Sequence, residues 1–170
     1  MSARDLARAT AALRRLAGQK CQRVTPGTGE LTTLELNFGR QVGKRPSLFT
    51  AGATIHLYEF WLRTSGVWRL DRPGHVLCSS EDEMPRGSTA RLPFVEIEGQ
   101  RVVEAELTPP AGDVKVLFES GHVFRIFACV PEGACGGDYF FIHDADGQKE
   151  SFQVGPRGYV DLEWPRTASG

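Results

Sequence analysis

Four glutamates alternate with apolar residues between Val95 and Leu107 (VEIEGQRVVEAEL), and they are the strongest candidates for a recognition surface. Val95 and Ile97 alternate with Glu96 and Glu98, while Val103, Ala105 and Leu107 alternate with Glu104 and Glu106. A period of two predicts strands over 92–98 and 102–108, each burying one face. If Gly99, Gln100 and Arg101 form a three-residue loop, Glu98 opposes Val102 and Glu96 opposes Glu104, so both apolar rows share a face. A two-residue loop would place the rows on opposite faces. The four carboxylates then crowd one exposed surface, where directly opposed like charges repel. Arg91 and Arg101 could relieve this repulsion as local counter-charges, and so could a basic partner. Glu81, Asp82 and Glu83, in a polar loop between Cys78 and Pro85, would add rim charges to the same side.

Other residue types give weaker patterns. Trp61, flanked on its strand face by Glu59 and Arg63, could anchor another protein, since Trp and Arg dominate interface energetics. The cysteines Cys21, Cys78, Cys129 and Cys135 contain no CxxC pair and are expected to be free thiols. The one arrangement with metal chemistry is His75 and Cys78 with Cys129 and Cys135, because zinc wants four nitrogen or sulfur ligands. The gap containing Pro131 and Gly133 reads more readily as a loop than as a zinc knuckle. Asp144, Asp146 and Glu150 lack the spacing of a calcium loop and read as a hairpin turn. His56, His75, His122 and His143 carry no GxSxG, HExxH or Cys-His signature, so no catalytic triad is assigned and no enzyme activity is expected. No phosphate-cradling loop is present either: Pro26 to Gly29 is too short, and Gly155 to Gly158 is a turn. No cofactor is expected.

These residues must be held by a mainly β fold. A first helix is predicted from Ala3 to Ala17, with Ser2 as cap, Asp5 completing the capping box, an apolar stripe of Leu6, Ala9, Leu13 and Leu16, and Gly18 as the stop. Arg4, Arg8, Arg14 and Arg15 occupy its other side. Beyond Cys21 the period changes to two: Leu34, Leu36 and Phe38 alternate, and 53–64 and 67–70 are rich in β-branched and aromatic residues. Further strands are predicted at 92–98, 102–108, 113–119, 122–130, 138–143, 150–154 and 159–163. The strand holding Trp61 has large apolar groups on both faces and is expected to be central. Roughly ten short antiparallel strands imply a meander, a sandwich or a partly rolled sheet. The organisation is then a helix at 1–20 packed on the sheet, one β domain at 21–164 and a tail at 165–170. Leu34 to Gly39 with Val67 to Leu70 is faintly like Val114 to Gly121 with Tyr139 to Ile142, as two related three-stranded halves would be.

Composition bounds the class. A chain of 170 residues with 41% hydrophobic and 24% charged residues can bury a core without disulfide or metal support. No run approaches the roughly 18 apolar residues of a spanning helix, and residues 1–18 show no signal-peptide apolar region, so a cytoplasmic location is expected. The net charge of −1 hides an uneven distribution: nine basic against three acidic residues in 1–50, but three against seven in 81–110. An acidic remainder favours a basic partner. The Arg-rich start lacks the interleaved aromatic platforms of single-strand binders, so nucleic acid is not the expected partner.

Leu34 to Gly39, the triplet Trp68-Arg69-Leu70, and Asp113 to Gly121 followed by His122 to Phe127 resemble small bacterial β-rich proteins of the toxin-immunity type. That resemblance spans about residues 31–155 and rests on strand patterns. It implies a non-enzymatic module that binds a cognate toxin and occludes its basic cleft; it carries over no catalytic or ligand-binding residue. The alternative is a small-molecule or zinc-binding β module using His75, Cys78, Cys129 and Cys135.

Overall fold

The computed structural model describes residues 3–26, 34–46, 52–64, 66–82, 93–108, 113–127, 152–155 and 158–161. The first element, α1 (Ala3–Arg14), buries Ala9, Ala12, Leu13 and, in the turn that follows, Leu16. That turn tightens by bonds of the i to i+3 type, from Leu16 N to Leu13 O (2.9 Å) and from Ala17 N to Arg14 O (3.1 Å). It ends at Gly18, whose φ of 81° is left-handed. The expected cap Ser2 lies outside the described residues. Arg4, Arg14 and Arg15 are exposed, and the Arg15 guanidinium sits 5.4 Å from the Phe60 ring centroid.

Three antiparallel sheets follow. The first has the order β1 (Cys21–Pro26), β2 (Leu34–Pro46), β3 (Thr54–Thr64). Trp61 therefore lies on an edge strand among the described residues, where a central one was expected; β2 takes the middle place and buries Leu34, Leu36 and Phe38. The apolar groups on both faces of β3 arise because one face packs inward through Phe60 and Leu62 while Trp61 is only half-buried beside Asn37. Bulges break the β2–β3 register after Phe38. Gly39 occupies this break with a φ of 78°, and a Cβ there would meet the Glu59 side chain, so both conformation and space call for glycine.

The second sheet contains β4 (Val67–Arg72), β5 (His75–Ser79), β6 (Val102–Thr108), β7 (Asp113–Phe118) and β8 (Val123–Phe127), in the spatial order β5-β4-β8-β7-β6. Its inner face is a strict alternation: Val114, Val116 and Phe118 on β7, Phe124 and Ile126 on β8, Trp68 and Leu70 on β4 are all buried. Val67 to Leu70 pairs with β8, so it does not share a sheet with β2 and β3, as one three-stranded half would require. The matching stretch Tyr139 to Ile142 lies outside the described residues. The third sheet is the hairpin of β9 (Phe152–Gly155) and β10 (Gly158–Asp161).

One expected strand is overturned. Residues 93–96 form a 3-10 turn, η1 (Pro93–Glu96), where a strand over 92–98 had been predicted. Pro93 fixes the φ that a first helical turn needs, and Ile97 N and Glu98 N both bond to Phe94 O at 3.0 Å. The burial period is accordingly three: Phe94 and Ile97 are inside and Val95 is 50% exposed. Strand β6 consequently pairs with β7 and not with 92–98. A second departure is β5, which puts His75 at the start of a strand that was not among those predicted.

A backbone seam ties the entry to β1 to the entry to β6. Residues 18–21 run beside 99–102 through Gly18 N to Val102 O (2.8 Å), Val102 N to Gln19 O (2.9 Å), Cys21 N to Gln100 O (2.8 Å) and Gly99 N to Cys21 O (2.6 Å). Side chains of α1, η1 and both larger sheets join in a single buried cluster. Among the described residues no helix is long and apolar enough to cross a membrane.

Candidate functional site

The outer face of the five-stranded sheet carries ion pairs. The register sets Glu106 opposite Lys115, Lys115 opposite Arg125, and Arg125 opposite Arg69. Lys115 Nζ reaches Glu106 Oε1 at 2.9 Å and Glu104 Oε2 at 3.3 Å. The hydrogen bond to Glu106, and then Glu104, raises the lysine above its ordinary pKa against the opposing pull of burial. Further in, Asp71 accepts from Arg125 Nε at 3.0 Å and pairs with Arg69 Nε at 2.7 Å. Arg69 also lies 5.6 Å from the Phe127 ring centroid. The two groups carry opposite net charges: Glu104, Lys115 and Glu106 sum to −1, and Arg69, Asp71 and Arg125 to +1.

The four glutamates of the sequence motif therefore do not share a surface. Glu104 and Glu106 stand on β6, an edge strand among the described residues, with side chains 51% and 44% exposed. Glu98 turns back to accept from Val24 N at 2.9 Å, and Glu96 lies on η1. The physical reason is Pro93, which starts a helical turn and rotates the two carboxylates off the face that alternation would give them. The expected relief by Arg101 also falls elsewhere, since its guanidinium donates to Gly18 O at 3.0 Å. Asp82 closes the turn after β5 by accepting from Ser79 N at 2.6 Å; Glu81 is exposed beside it, and Glu83 and Arg91 lie outside the described residues.

The metal alternative is only partly in view. His75 is exposed at the start of β5 and Cys78 is buried on the same strand; Cys129 and Cys135 lie outside the described residues. Burial, reinforced by Asp82 and Glu96, pushes the Cys78 thiol up to about 12. Among the described residues no group of three or more His, Cys, Asp or Glu side chains could hold a metal ion.

The sequence patterns gave no hint of a cluster at the end of the sheet. His122, 6% exposed, opens β8 after the turn Glu119-Ser120-Gly121. Its Nδ1 lies 2.7 Å from Ser120 Oγ and its Nε2 lies 2.9 Å from Glu96 Oε2. Arg72 Nη1 stands 4.0 Å from the same carboxylate oxygen. The turn is tied by Gly121 N to Phe118 O and Phe118 N to His122 O, both 2.9 Å, and by Glu119 N to Arg101 O. Pro73, in the neighbouring β4–β5 turn, packs so closely that a Cβ on Gly121 would lie 3.0 Å from its Cγ. Only the Ser120-x-His122 spacing is visible in the sequence; Glu96 reaches the site because η1 replaces the expected strand. Near the start of β3, His56 Nδ1 donates to Gln41 Oε1 at 2.9 Å in the open.

No known protein family model matches the chain, and neither a curated protein nor a solved structure is similar to it.

Proposed function

We propose that the chain is a protein-binding module that docks a basic partner along β6. The observation that carries this reading is the pair Glu104 and Glu106 on a strand that is an edge among the described residues, half-exposed and sharing Lys115, which gives that end of the sheet a net charge of −1. Beside them Val103 is 56% exposed, an apolar contact set between the charges and the seam. Beyond Val102 the outer side of β6 carries no strand among the described residues. A strand that is an edge among the described residues and bears acids repels a second acidic copy and favours a cleft-lining segment rich in Lys and Arg. Occlusion of a toxin's basic cleft, as in immunity proteins, is the finer form of this reading. Such a surface acts chiefly through steered encounter, so its signature is in the association rate and its salt dependence.

The test is a pair of parallel captures from lysate of the source organism with the wild-type protein and with E104K/E106K, followed by kinetics on the purified partner. A basic protein bound by the wild type and associating at least about ten-fold more slowly with the double variant at low salt supports the assignment. An unchanged association rate at low salt overturns it.

A further inference from the structure

We propose that Ser120 is an activated nucleophile that accepts acyl groups from small activated esters, with His122 as its base and Glu96 as the residue that positions the base. The proton placement follows from the donor inventory. A carboxylate only accepts, so the 2.9 Å contact with Glu96 Oε2 places the ring proton on His122 Nε2. In the neutral ring Nδ1 then offers a lone pair, and the 2.7 Å contact makes Ser120 Oγ–H the donor to it. This is the relay of a serine hydrolase with the two ring nitrogens exchanged: a hydroxyl on one side of the imidazole, a carboxylate on the other.

A hydrogen bond that merely closed the turn would need neither of the remaining features. The imidazole is buried and held at both nitrogens, and its second partner comes from 26 residues earlier in the chain. Ser120 itself is exposed, on a turn pinned by backbone bonds at both ends, so its oxygen can be approached while its base cannot rotate away. That combination of fixed base and open nucleophile is what general-base activation requires.

The step balances without any further reagent. Ser120 Oγ bonds to the acyl carbon as its proton passes to Nδ1; the ester C–O bond breaks, and the leaving oxygen takes that proton. Water, deprotonated by the same nitrogen, then releases the carboxylic acid and restores the serine.

The experiment uses the full-length protein with p-nitrophenyl acetate, following p-nitrophenolate release and mapping the acetyl group by peptide mass spectrometry. Acetyl on Ser120, its loss in S120A, and a rate at least about ten-fold lower in E96Q at unchanged melting temperature are the expected results. The wild-type rate should rise with pH as a single group loses its proton, and E96Q should displace that profile, which a purely structural Glu96 would not do. Acetylation confined to lysines, an unmodified Ser120, or E96Q reacting as fast as the wild type would each overturn the proposal.

Discussion

Replacing Phe94 and Val95 one at a time separates the 3-10 turn from a strand. Alternation in the sequence would bury Val95 and Ile97 and leave Phe94 outside; in the structure Phe94 is 4% exposed and Val95 50% exposed. The Phe94 ring lies 5.4 Å from that of Trp68, tilted by 52°, in the core beneath the five-stranded sheet. Truncating a buried Phe to Ala costs about 3–5 kcal/mol in lost transfer and residual cavity. The aromatic pair accounts for roughly 0.5–1.5 kcal/mol beyond area burial. Val95→Ala removes two exposed methyl groups and should change stability by less than about 0.5 kcal/mol. For a domain of this size each kcal/mol moves the melting temperature by roughly 2–4 °C, so F94A should melt roughly 5–20 °C below V95A. Urea unfolding followed by tryptophan fluorescence measures both variants, because Trp68 reports directly on the site, with unchanged slopes as the control for a common unfolded state. A V95A variant as destabilised as F94A would refute the turn and restore the strand.

Two further outcomes follow from the buried thiols and from Lys115. Burial pushes the Cys21 and Cys78 thiols up to about 12, so iodoacetamide near neutral pH should leave both peptides unmodified in the folded protein and modify both in denaturant; alkylation of folded Cys78 at the rate of a free thiol would contradict this. Lys115 has its pKa raised in the folded state, so its contribution to stability is complete below the unfolded lysine value of 10.5 and is lost as pH rises through the folded value. The pair is largely hydrated and should contribute under about 1 kcal/mol; the gap in urea midpoint between wild type and K115M should narrow above the lysine range, and a gap that widens there would refute the pairing.

Much of the architecture is legible where one physical signal acts alone. DVKVLF reads as a half-buried strand, and its burial alternates residue by residue. The stripe Leu6, Ala9, Leu13 and Leu16 likewise places α1 on the core. Legibility fails where two periods fit the same letters. Val95 and Ile97 fit a period of two, Phe94 and Ile97 a period of three, and Pro93 decides between them by favouring the helical turn. HVLCS was missed as a strand because β5 is an edge with His75 and Val76 exposed, so burial imposes no alternation on its outer half. The candidate recognition face divided for the same local reason, keeping Glu104 and Glu106 and losing Glu96 and Glu98. The contact of Glu96 with His122 depends on the tertiary placement of η1, which no spacing within the chain encodes.

The seam at residues 18–21 and 99–102 bears on how the protein reaches its fold. Arg101 donates to Gly18 across 83 residues of chain, and the neighbouring backbone bonds span similar separations. Loop closure of that length must precede the contacts that reward it, which predicts slow, all-or-none folding with high contact order. During synthesis α1 and the first sheet emerge well before Val102, so the stripe of α1 lacks its contacts with β6 until residue 102 has been made. The ribosome-bound intermediate is thus the form most exposed to aggregation and most dependent on chaperones.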